Sequence, residues 1–73
     1  MRRVNQEWIV IDNQSNTVGF MRSDSLAIVY SKSYETEGGY LNGCLGLKYK
    51  GKKYIYLWFS SSYIVLLDGL TLN

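Results

Sequence analysis

The sequence predicts an all-β domain, and three observations carry that prediction. Val, Ile, Thr, Tyr, Phe and Trp, which fit a pleated and half-buried surface, fill 24 of the 73 positions, whereas alanine, the best helix former, occurs once, at Ala27. The apolar runs are short and are bounded by Gly, Asn, Asp and Ser clusters. They number five to seven, and a strongly twisted sheet of that size is expected to be strongly curled or to close into a small antiparallel barrel, which also removes exposed edges.

The first element is Trp8-Ile-Val-Ile11, ended by the turn-forming cluster Asp12-Asn-Gln-Ser-Asn16 and followed by Thr17-Val-Gly-Phe-Met21, so the two runs form an N-terminal hairpin. The next stretch is ambiguous. Ser23 or Asp24 is a suitable cap for one short helix around 24–34 with Leu26, Val29, Tyr30 and Ser33 on one face, but Leu26, Ile28 and Tyr30 alternate and Ile28-Val29 are β-branched. The balance favours a strand. Ser31 to Gly39 is polar, carries Glu35 and Glu37, and ends in Gly38-Gly39, the composition of a mobile loop. Asn42-Gly43 is a strong turn dipeptide that would set Leu41 opposite Cys44.

Residues 45–59 hold the best-defined hairpin. With a two-residue turn at Gly51-Lys52, Lys50 meets Lys53, and the register places Tyr49 by Tyr54, Leu47 by Tyr56 and Leu45 by Trp58 on one face, with Lys48 by Ile55, Gly46 by Leu57 and Cys44 by Phe59 on the other. The Tyr49–Trp58 face is expected to be the core. Because Tyr54 to Phe59 is apolar on both faces, this strand should be central and covered on both sides. Tyr63-Ile-Val-Leu-Leu67 is a further strand, closed by Asp68-Gly69, a second hairpin signal, and followed by a terminal stub, Leu70-Thr-Leu72. A faint echo links Thr17–Ser31 and Tyr54–Asp68, each being strand, serine turn, strand.

Seventy-three residues make a single small domain, spanning 1–73, that buries only about 60% of its unfolded surface. Small folds are usually supported by disulfides, a metal or a partner. Cys44 is the only cysteine and there is no histidine, so no intramolecular disulfide forms and the common zinc sites are excluded. A dense apolar core, a partner, or both remain. The run Tyr54–Leu67 is shorter than the ~20 residues of a spanning helix and is interrupted by Ser60-Ser-Ser62. With no apolar run at its start either, the chain reads as cytoplasmic.

Catalysis has little support. Glu7, Asp12, Asp24, Glu35, Glu37 and Asp68 lie in turn-like or terminal positions, Cys44 has only Lys48 near it on its strand, and the glycines match no phosphate-binding fingerprint. No enzyme, cofactor or metal site is expected. The feature that points outward is the hairpin tip, where Lys48, Lys50, Lys52 and Lys53 lie within about 20 Å of one another along strand, turn and strand. With Tyr49, Tyr54 and Trp8 as aromatic anchors these residues form the candidate partner-binding set. A nucleic-acid reading, with lysines on phosphates and tyrosines on bases, is secondary because its rings would face the core. Solubilising lysines on an apolar protein would be the plainest reading of all.

In length, aromatic-rich β composition, lack of catalytic residues and modest basic balance, the chain resembles the small single-domain proteins with which bacteriophages seize host machines, among them regulators that bind host RNA polymerase. The resemblance is one of general character and rests on no motif. It implies a non-enzymatic inhibitor or regulator in the host bacterial cytoplasm, docking on a host protein complex and altering initiation or termination. Monomer and homodimer both fit it. On this reading Lys50→Glu with Lys53→Glu weakens partner binding and leaves thermal stability nearly unchanged.

Overall fold

The computed structural model describes residues 2–14, 17–25, 27–34 and 39–73, with the side chains of 13, 14, 28 and 29 left aside. The chain is all-β, with no helix among the described residues. Four strands, β1 (Arg2–Arg3), β2 (Trp8–Gln14), β3 (Thr17–Arg22) and β4 (Ile28–Ser33), form one antiparallel meander. Three more, β5 (Leu41–Tyr49), β6 (Lys52–Phe59) and β7 (Ile64–Asp68), form a second. The two sheets do not close into a barrel; they share one core from opposite sides.

The first sheet contributes Trp8, Val10, Val18 and Phe20 to that core, and the second contributes Cys44, Ile55, Leu57, Phe59 and Leu67. Period-two alternation explains the set. In β6, Lys53, Ile55, Leu57 and Phe59 point one way and Lys52, Tyr54, Tyr56 and Trp58 the other, and burial follows the first series. Phe20, Ile55, Leu57 and Leu72 are fully buried, each worth about 1.5–3 kcal/mol of apolar transfer. Ile9 and Met21, a cross-strand pair, are buried on the opposite face of the first sheet.

Polar ties hold the sheets in place. Asn5 accepts on Oδ1 from the Glu7 and Trp8 backbone N–H groups at 2.9 and 2.8 Å, shaping the turn before β2, and its Nδ2 donates to the Gly69 carbonyl at 3.0 Å. The Trp8 indole N–H donates to the Leu70 carbonyl at 3.2 Å. Both bonds reach the C-terminal segment, which is no loose stub. Asp68 Oδ1 accepts from the Leu70 and Thr71 N–H groups, the Leu72 N–H returns to the Asp68 carbonyl, and the turn drops Leu72 into the core.

Over the described residues of 24–34 the favoured strand forms and the alternative helix does not: a turn at Ser23–Ser25 leads to β4, which runs through Ser33, with Tyr30 paired to Phe20. Other expectations are corrected. Of the loop expected at 31–39, residues 35–38 lie outside the described residues, as does Leu26. Asn42-Gly43 is no turn but part of β5, at a β-bulge where pairing with β6 shifts between Leu41 and Gly43. The hairpin turn is Lys50-Gly51, with φ of 49° and 79°, because a two-residue turn that follows strand twist needs the left-handed region at both positions and favours glycine at the second. Tyr49 therefore pairs with Lys52, Leu47 with Tyr54, and Leu45 with Tyr56.

That register differs by two residues from the expected one. A shift of two leaves every side chain on its original face, so the expected face memberships hold while the partners change. What reverses is the identity of the core face. Gly46, Ile55, Cys44 and Leu57 point inward, and the tyrosine face points out. β6 is central, as its apolar run suggested, but covered on one side only.

Candidate functional site

The outer face of the second sheet is apolar and open. Its cross-strand rows, starting at the turn, are Tyr49 with Lys52, then Leu47, Tyr54 and Asp68, then Leu45, Tyr56 and Leu66, then Gly43, Trp58 and Ile64. Leu45 is 54% exposed, Leu66 and Ile64 57% each and Tyr49 60%, with Leu47 at the lower bound of exposure and the other three rings half-buried. Aliphatic and aromatic side chains so concentrated on one sheet face exceed what a soluble monomer scatters over its surface.

The rings on this face are positioned by glycine. A Cβ on Gly43 would lie 2.2 Å from Trp58 Cζ2, so the missing side chain is what lets the indole lie across β5. Tyr56 leans on that indole with ring centroids 5.4 Å apart. A shallow groove lined by Leu45, Tyr56, Trp58, Phe59, Ser62 and Ile64 opens beside it.

Cations border the turn end. Lys50 Nζ stands 5.4 Å from the Tyr49 ring centroid, and Lys52 Nζ 5.5 Å from that of Tyr54. Lys52 also lies 3.7 Å from Asp68 Oδ2. Hydrogen bonds from the Thr71 and Leu70 backbone, with Lys52 assisting, hold the Asp68 carboxyl below its ordinary pKa. Lys53 points to the inner side, where its Nζ meets both Glu7 carboxylate oxygens at 3.1 and 3.2 Å. Of the four lysines at the tip, Lys48 and Lys50 are the two without a carboxylate partner among the described residues.

Measured against the candidate set from the sequence, Lys48, Tyr49, Lys50 and Lys52 are exposed at the tip and Tyr54 stands half-buried on the open face. Trp8 is corrected: at 2% exposure, with its N–H bonded to Leu70, it is a core residue and no anchor. Lys53 is corrected in part, since its ion pair ties the hairpin to the turn before β2. Lys53→Glu would set two carboxylates together, so the expected neutrality toward stability belongs to Lys50 alone. Leu45, Leu47, Trp58, Ile64 and Leu66 were missed. The signal for them was present, because β6 and β7 are apolar on both faces and β5 sets Leu45, Leu47 and Tyr49 on one, yet nothing local says which face receives the second layer.

Elsewhere, Tyr34 packs on Phe59 and Tyr63 with its buried hydroxyl lacking a hydrogen-bond partner among the described residues, and burial pushes its pKa up to about 12. Cys44 is buried, and burial likewise raises its thiol, with Arg2 opposing. Among the described residues no three Cys, Asp or Glu side chains gather as a metal site would require, and no helix is long and apolar enough to cross a membrane. No family model, curated protein or solved structure matches the chain.

Proposed function

We propose that this chain is a non-enzymatic binding module that docks on a protein partner through the outer face of the second sheet. The observation that carries the reading is the uncovered row Leu45–Tyr56–Leu66 and its neighbours Trp58 and Ile64. Tyrosine and tryptophan among aliphatic side chains supply the contact area and desolvated centre that protein interfaces use, and Lys50 and Lys52 at the turn supply a polar rim.

Nucleic acid is the second reading, and one observation favours it: the tyrosine rings face outward, where bases could stack. Charge argues against it. With Lys52 beside Asp68 and Lys53 on Glu7, two uncompensated lysines would neutralise about two phosphates, a salt slope near −1.4 on a single strand and weak binding. The aliphatic side chains between the rings also have no role on a base-stacking platform.

The test is a matched pair of baits, the native chain and Leu66→Lys, presented to a bacterial lysate and to purified RNA polymerase. Host RNA polymerase is tried first because the general likeness to phage regulators implies it, and a retained polymerase would extend the proposal to altered initiation or termination. A protein held by the native chain and lost from the variant supports docking through this face. Equal retention by both baits removes the face from the interface. Binding of an oligothymidylate that weakens steeply with salt would favour the nucleic-acid reading instead.

A further inference from the structure

We infer that the free protein is a homodimer in which the outer faces of two second sheets pack against each other about a two-fold axis, so that self-association masks the docking face until a partner displaces one copy. The inference rests on the reading of this face as a binding surface and names its occupant in the absence of a partner.

Area is the first argument. The five exposed side chains and three half-buried rings on this face leave roughly 600 Å² per copy, so that covering them completely would bury about 1,200 Å² between two copies, the lower bound of stable protein interfaces. Leaving that surface in water is costly for a domain of 73 residues that has no disulfide. A second copy is always present at the protein's own concentration, and an isologous contact matches an apolar face with an equally apolar one.

Charge then selects the orientation. Along the strands the face runs from Lys50, Lys52 and Asp68 at the turn end, which together leave one net positive charge, to Ile64 and the uncharged serines 60–62. A two-fold axis parallel to the strands would stack the lysine end on itself. An axis across the strands, along the row Leu45–Tyr56–Leu66, places each lysine end over the serine end of the other copy. In that arrangement each residue of the central row faces its own counterpart, while Trp58 lies over the Tyr54 row. Aligned sheet packing at about 10 Å would allow the side chains to interdigitate.

The test combines sedimentation velocity with tryptophan emission across a concentration series from low to high micromolar. Trp8 is fixed in the core, so any concentration-dependent shift reports Trp58. The native chain should sediment at twice its monomer mass at high concentration, and its emission should move to the red on dilution. Leu66→Lys sets two ammonium groups face to face at the axis and should leave a folded monomer with concentration-independent emission. Leu45→Lys, on an edge strand that tolerates lysine, is the second variant and should do the same. A native chain that stays monomeric throughout overturns the inference while leaving the face open to a different partner, so the docking proposal survives that outcome. A dimer that persists in whichever variant folds overturns it too, by placing the interface elsewhere.

Discussion

Gly46→Ala is the most severe small change the fold offers. Gly46 is an inward-facing β5 residue with unremarkable φ, and a Cβ built there would lie 1.7 Å from the Val4 carbonyl oxygen and 2.7 Å from its carbon. Both are backbone atoms, so no side-chain rotation relieves the overlap. The segment carrying Val4 must retreat by about 2 Å to reach ordinary contact. That retreat stretches the Asn5–Gly69 hydrogen bond and loosens the Glu7–Lys53 ion pair, both anchored in the same turn. Overpacking costs about 1–3 kcal/mol and a lost hydrogen bond about 1 more, giving a total of about 2–4 kcal/mol. A domain of this length has about 4–11 kcal/mol in all. At about 4–8 °C per kcal/mol, the melting temperature read by circular dichroism should fall by roughly 8–32 °C. Gly51→Ala is the control: its Cβ meets nothing within 4 Å, but φ of +79° disfavours any side chain, for a cost of about 1 kcal/mol. If Gly46→Ala melts no lower than Gly51→Ala, the close approach of the N-terminal segment to β5 is wrong.

Three further outcomes are expected. A double-mutant cycle on Glu7 and Lys53, both about one-third exposed, should give a coupling of about 1 kcal/mol that shrinks in high salt, and zero coupling would detach the hairpin from the turn before β2. The lowered Asp68 pKa means that its contribution to stability is full above the ordinary carboxylate pKa and is lost as pH falls through the lower folded value; Asp68→Ala should flatten that acid limb of a pH–stability curve, and an unchanged limb would refute the assignment. Tyr34 has the opposite sign: with a folded pKa near 12, its stabilising effect is present below pH 10 and fades as pH rises toward 12. Tyr34→Phe, which removes a hydroxyl without a partner, should retain neutral-pH stability and resist alkaline unfolding better; a clear loss at neutral pH would mean that the hydroxyl is bonded after all.

The sequence by itself determined the all-β class, the strands from Trp8 to Asp68 in outline, the central place of β6 and the sets of residues sharing each face of the 45–59 hairpin. These are local properties. β-branched and aromatic enrichment, period-two alternation and turn residues act within a few positions, and a register error of two cannot move a side chain across a sheet. The tertiary structure alone decided which of two apolar faces would be covered, because alternation states that Tyr54, Tyr56 and Trp58 lie opposite Ile55, Leu57 and Phe59 without saying where the other sheet will stand. It also decided that Trp8 is core, that Lys53 belongs to Glu7, that Asn42-Gly43 continues a strand and that Leu72 plugs the interior. Each of these depends on partners distant in sequence, whose burial and pairing energies exceed the local preferences they override.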